Sequence, residues 1–136
     1  MVYTTGTIKE IKSGAELGGI VHDQWIHFIT DGANIWLFDE DMICPAKLEG
    51  KRVEVKIGVL PLDVKLVDSG SEGFLGKRQL RGRIKERRGD LWLLNVNEII
   101  LLVPQEDWFR SGQLVEVEGR LNLLEIKNQT SGWKNV

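Results

Sequence analysis

The 136-residue chain reads as all-β, with one set of strands written twice. Three observations predict this. Residues 5–13, TGTIKEIKS, return as residues 79–89, QLRGRIKERRG, with a shared Gly-X-Ile-Lys-Glu core at Gly6, Ile8, Lys9 and Glu10 and again at Gly82, Ile84, Lys85 and Glu86. Polar and apolar residues alternate with period two along several stretches of both halves, the signature of half-buried strands. Glycine is frequent at 15 and proline scarce at 3, which suits tight turns between strands.

The elements follow in order. Residues 3–12 alternate and predict a first strand, with Gly6 inside it at a bend or bulge. Residues 13–19, SGAELGG, predict a loop, and 20–30, IVHDQWIHFIT, a second strand. Asp31-Gly32 is a strong hairpin signal before a third strand at 34–38, NIWLF. Residues 39–50 break the pattern: Pro45 can open a short helix and Gly50 can end it. Residues 51–58 put Val53, Val55 and Ile57 on one face and Arg52, Glu54 and Lys56 on the other. A fifth strand, 62–68, follows a turn at Pro61. Residues 69–78, SGSEGFLGKR, predict a Gly/Ser-rich linker.

The second copy repeats the order, with strands at 80–87, 91–96, 98–103, 113–118 and 121–127 and a Pro-led, Gly-ended segment at 104–112. The copies match further at Asp23-X-Trp25 with Asp90-X-Trp92, at Ile35 and Leu37 with Ile99 and Leu101, and at Gly50, Val53, Glu54 and Val55 with Gly112, Val115, Glu116 and Val117. The tail, 129–136, is polar apart from Trp133.

Three strands, a short plug and two further strands resemble the OB-fold (oligonucleotide/oligosaccharide-binding). The resemblance covers residues 3–68 and 79–127 and rests on element order with the Gly-X-Ile-Lys-Glu and Gly-X-X-Val-Glu-Val segments. It implies two tandem five-stranded Greek-key barrels from an internal duplication, each with a helical plug between strands three and four. The barrels would occupy 1–68 and 79–128, with Leu48 and Trp108 or Phe109 filling the plugs. Interleaving of the copies into one pseudo-symmetric barrel is the alternative; the linker length favours tandem barrels.

Composition narrows the function. Residues 1–70 carry 7 basic and 11 acidic side chains, residues 71–136 carry 11 and 9, and the net charge is −2. Cys44 is alone, which excludes an intrachain disulfide. The start, MVYTTGTIKE, lacks the basic and apolar segments of a secretory signal, and no stretch is apolar enough to span a membrane, so the expectation is a cytoplasmic protein. The acceptor pattern Asn128-Gln129-Thr130 is discounted for the same reason. His22 and His27 fall on opposite strand faces, one Cys and two His make no zinc pattern, and no phosphate-binding glycine loop occurs. Asp39-Glu40-Asp41 reads as a solvated acidic run. The expectation is therefore no enzyme, no cofactor and no metal.

Two groups can bind a ligand. Placing Trp25, His27, Ile29, Ile35 and Leu37 inside leaves Phe28, Trp36 and Phe38 on one outer surface, where aromatic rings can stack unpaired bases. In the second copy Ile100 and Leu102 take the outer side of the third strand. Lys77, Arg78, Arg81, Arg83, Lys85, Arg87 and Arg88 are seven of the 18 basic residues. Period two puts Arg81, Arg83, Lys85 and Arg87 in one stripe able to track phosphates. The resemblance then implies a non-catalytic binder of single-stranded DNA or RNA. The bland alternatives are that the aromatics form a protein or homo-oligomer interface and that the cations solvate a strand edge. They lead to a second function, a protein-interaction or assembly module.

Overall fold

The computed structural model describes residues 2–127. Asn128-Gln129-Thr130, Trp133 and the expected tail lie outside the described residues. The elements are β1 (Thr4–Ser13), β2 (Glu16–Leu17), β3 (Ile20–Val21), β4 (Gln24–Thr30), β5 (Ala33–Asp39), a 3-10 turn (Ala46–Leu48), β6 (Arg52–Leu66), β7 (Gly73–Gly76), β8 (Gln79–Arg88), β9 (Leu91–Val96), β10 (Ile99–Pro104) and β11 (Leu114–Ile126). The described chain is all-β. Nine strands form one hydrogen-bonded sheet in the order β1-β4-β5-β11-β6-β10-β9-β8-β7, with further β1–β6 and β8–β11 pairings, and β2–β3 stand as a separate hairpin.

By its contacts the chain divides into two compact units. The first holds Tyr3–Ile57 and, of the described residues, 122–127. Its ladders run β1–β4 and β4–β5 antiparallel, β5–β11 parallel through Phe38 and Asn122, and β6 back onto β1 antiparallel. Ile8, Ile26, Phe28, Leu37, Val55 and Ile57 are its fully buried core; burial of each such side chain contributes about 1.5–3 kcal/mol. The second unit holds Gly58–Leu121 and Val2. Its ladders run β8–β9, β9–β10, β8–β11 and β7–β8, all antiparallel, around Ile84, Leu94, Val96, Leu101, Val103, Phe109, Val115 and Val117.

The two Gly-X-Ile-Lys-Glu segments make the same local geometry. Each β1–β4 and β8–β9 ladder shifts register at the lysine, between Ile8 and Glu10 and between Ile84 and Glu86. The N–H of Ile8 donates to Lys51 O at 3.0 Å and that of Ile84 to Gln113 O at 2.8 Å. Gly50 and Gly112 return the bond, donating to Ile8 O at 2.6 Å and Ile84 O at 2.7 Å. Both adopt a left-handed backbone, φ 84° and 93°, which costs glycine least. Gly6 lies opposite Val53 and Gly82 opposite Val115.

Several expectations need correction. The compact units do not follow the 1–68 and 79–128 division, because β6 and β11 each run through both units. Pro61 does not turn the chain: it lies inside β6, and the expected fourth and fifth strands of each copy are single strands of 15 and 13 residues. A proline within a strand removes only one ladder donor. The expected linker is ordered in part, since Gly73–Gly76 pairs with β8 and Glu72 accepts from Asn97 N at 3.1 Å. The plug is a single 3-10 turn that buries no residue, and among the described residues 104–112 form turns from which Phe109 is buried without a helix.

Candidate nucleic-acid interface

Directly opposed residues in an antiparallel ladder point to the same side, so the registers define each outer face. In the first unit three rows cross β1, β4 and β5: Thr7–Ile29–Asn34, Glu10–His27–Trp36 and Lys12–Trp25–Phe38. Inside lie Ile8, Phe28 and Ile35, and Ile11, Ile26 and Leu37.

This inverts the expected faces of β4. Phe28 is 0% exposed and its ring lies under Gly6; it is a core residue and cannot stack a ligand. Phe38 is on the outer side but only 9% exposed, because Trp25 lies against it at 4.9 Å between ring centroids. Trp36 is where expected, outside and 38% exposed. The His27 ring stacks on it at 4.6 Å and 17°. His27 Nε2 is 3.2 Å from Asn34 Oδ1. The Lys12 ammonium is 5.1 Å from the Trp36 centroid and 3.7 Å from Glu10. The ladder thus adds Trp25, His27, Asn34 and Lys12 to the expected site. The signal was present: with Thr30 opposite Ala33 across Asp31-Gly32, counting back puts His27 opposite Trp36 and Trp25 opposite Phe38.

The inversion has one cause. Ile8 faces Phe28 and Ile84 faces Leu94, so Trp92 is equivalent to Ile26 and not to Trp25. Matching the two tryptophans slips one residue, and a one-residue slip in a strand exchanges its faces. Similarly Phe28 faces Ile35 while Leu94 faces Leu101. Matching Ile35 with Ile99 slips two residues, which leaves the faces unchanged; Ile35, Leu37, Ile99 and Leu101 are all buried.

The basic residues lie in the second unit. The register shift at Lys85 breaks the stripe. Arg81, Arg83, Glu86 and Arg88 share the outer side, while Arg87 lies opposite Trp92 on the other side. Arg81 donates from Nε and Nη2 to Glu116 at 3.1 and 2.8 Å, and from Nη1 to Ser71 O at 3.2 Å. Arg83 donates to Gly112 O at 2.7 Å and lies 3.8 Å from Glu72. Arg87 donates to Gly89 O at 2.7 Å, and Arg88 pairs with Glu86 at 3.2 Å. Lys77, Arg78 and Lys85 are exposed. Residues 58–121 hold ten basic and ten acidic side chains, so local carboxylates offset the cations. On the outer face Leu102 is buried and Ile100 half-buried.

The Asp39-Glu40-Asp41 run is not wholly solvated. Asp39 is buried and accepts from Gln24 Nε2 at 2.8 Å and from the N–H groups of Ile43 and Cys44 at 2.9 Å each. Burial, with the Asp39 carboxylate adding, pushes the Cys44 thiol up to about 12. Among the described residues no three His, Cys, Asp or Glu side chains converge on a point that would hold a metal. No helix among them is long and apolar enough to cross a membrane. Comparison with protein-family models, curated proteins and solved structures finds no match to this chain.

Proposed function

We propose that the protein binds single-stranded nucleic acid without catalysis, through the outer face of β4 and β5 in the first unit. The carrying observation is Trp36, exposed and stacked on His27 with the Lys12 ammonium against its ring. Stacking one base on an aromatic ring contributes about 1–3 kcal/mol and tolerates any sequence. An incoming base takes the place of Lys12, whose flexible ammonium then meets the adjoining phosphate. Binding weakens with salt in proportion to the phosphates so neutralised.

The proposal carries an architecture. We read each unit as an OB-like barrel from an internal repeat, with the fifth strands exchanged between copies. Supporting this are the ladder circuit β1–β4–β5–β11–β6–β1 and the parallel β5–β11 pair. The matched register shifts and the reciprocal Ile8–Gly50 and Ile84–Gly112 bonds support the repeat. A second reading, an assembly module, has its own support in Leu60, Leu62 and Leu66, exposed at 51, 70 and 54%.

Titration with short mixed-sequence oligonucleotides at two salt concentrations, followed by tryptophan fluorescence, tests the function. Binding should be tighter at low salt, and Trp36→Ala should weaken it about 10-fold or more. Arg81→Ala, which removes a partner of Glu116, should lower stability and leave affinity nearly unchanged. Absence of binding at low salt rejects the function.

A further inference from the structure

The outer row next to Trp36 does not stop at β1. Thr7 belongs to both ladders of that strand, opposite Ile29 of β4 and opposite Arg52 of β6. Asn34 of β5 lies opposite Ile29. Opposed residues point to the same side, so one outer row runs Asn34–Ile29–Thr7–Arg52. Asn34 stands two residues before Trp36 on the same face of β5 and meets His27 as well. Three strand spacings, about 14 Å, separate the two ends of the row.

Charge decides which way a polyanion leaves Trp36. Toward the end of β5, Phe38 is followed by Asp39-Glu40-Asp41, with Glu40 and Asp41 exposed. The Asn34 row contains no carboxylate and ends on a cation. Arg52 is exposed, and its guanidinium has no hydrogen-bond or ion-pair partner among the described residues. In this it differs from Arg81, Arg83, Arg87 and Arg88, which already donate to protein oxygens. An unengaged guanidinium offers a phosphate two parallel N–H donors with no internal bond to give up. The row beyond, Thr5–Glu54, carries a carboxylate, so Arg52 is the last favourable position.

We infer that a strand stacked on Trp36 runs on across Asn34, Ile29 and Thr7 to Arg52, whose guanidinium binds a backbone phosphate. This rests on the reading of the Trp36 face as a nucleic-acid site. It makes the ligand an oligonucleotide several residues long, since a single nucleotide on Trp36 does not reach Arg52.

The test compares hexathymidylate with thymidine monophosphate in fluorescence titrations of the full chain over a range of salt concentrations. For hexathymidylate, Arg52→Ala should lower affinity several-fold at low salt. It should also flatten the slope of log affinity against log salt by about 0.7, the share of one phosphate on a single strand. For thymidine monophosphate, Arg52→Ala should change nothing, whereas Trp36→Ala should weaken binding. Lys56→Ala removes an equal charge from the same face of β6, one already paired with Glu125 at 2.9 Å, and should leave the hexathymidylate slope in place. Hexathymidylate binding with an unaltered slope in Arg52→Ala overturns the inference and spares the Trp36 site. Equal effects of Arg52→Ala and Lys56→Ala, or equal loss of both ligands in Arg52→Ala, also overturn it. Absence of hexathymidylate binding to the native chain at low salt rejects the site and the inference together.

Discussion

A β-carbon built at Gly6 would meet the Phe28 ring and would lie 2.6 Å from Ile29 O; at Gly82 it would lie 2.8 Å from a Val96 methyl and 2.9 Å from Asn95 O. A ring or methyl can shift, but a carbonyl held in a ladder moves only with its strand. Gly6→Ala and Gly82→Ala should therefore each cost about 1–3 kcal/mol in urea unfolding. Gly76→Ala, with nothing within 4 Å, should stay within about 0.5 kcal/mol. Equal behaviour of all three would remove close approach as the reason for glycine. Cys44 gives a pH-dependent counterpart. Its folded value is raised to about 12, while an unfolded cysteine titrates near roughly 8.5. The contribution of the protonated thiol is thus complete below the unfolded value and is lost as pH rises through the folded one. Urea midpoints should fall across that alkaline window, Cys44→Ala should remove this component of the slope, and Ellman's reagent should react only with unfolded chains at pH 8.

At the scale of elements, strands were legible where period two was uninterrupted. Ile35, Leu37, Val53, Val55 and Ile57 are buried as their alternation predicts. Phe28 lies inside and not outside because the two tryptophans that look equivalent sit one register position apart, and residue identity says less about a face than the count from a turn. The register shifts at Lys9 and Lys85 were visible only as a repeated motif. An inserted residue has no mark of its own in the sequence, yet it decides that Arg87 leaves the side on which Arg81 and Arg83 stand. Nor does a row of arginines record its partners. Glu116, 35 positions from Arg81, and Glu72 engage the stripe through folding alone. The face around Trp36 is half legible: period two places its tryptophan outside, and its neighbours His27, Asn34 and Lys12 need the ladder.

At the scale of the whole chain, β6 and β11 are the elements that local patterns could not assign. A strand's alternation records which side is buried, not which unit it completes. Residues 58–66 serve the second unit and residues 122–126 the first, although 58–66 follow the first unit's residues in sequence and 122–126 the second's. This has a direct consequence for a cut chain. An engineered protease site at the exposed residues 69–71, cleaved after folding, should give two fragments that co-elute in buffer and part only in denaturant, because separation would take a strand out of each unit. Fragments that part in buffer would contradict the running of β6 and β11 through both units.

The functional claim rests on the outer face of the first unit, and the indole N–H signals of the five tryptophans examine it residue by residue. On adding a short single-stranded oligonucleotide at low salt, the Trp36 indole signal should shift most and that of Trp25 next. Trp92 and Trp108, which pack edge-on against Phe109 in the second unit, should hold their positions. Shifts confined to Trp92 and Trp108, with Trp36 unmoved, would contradict the account.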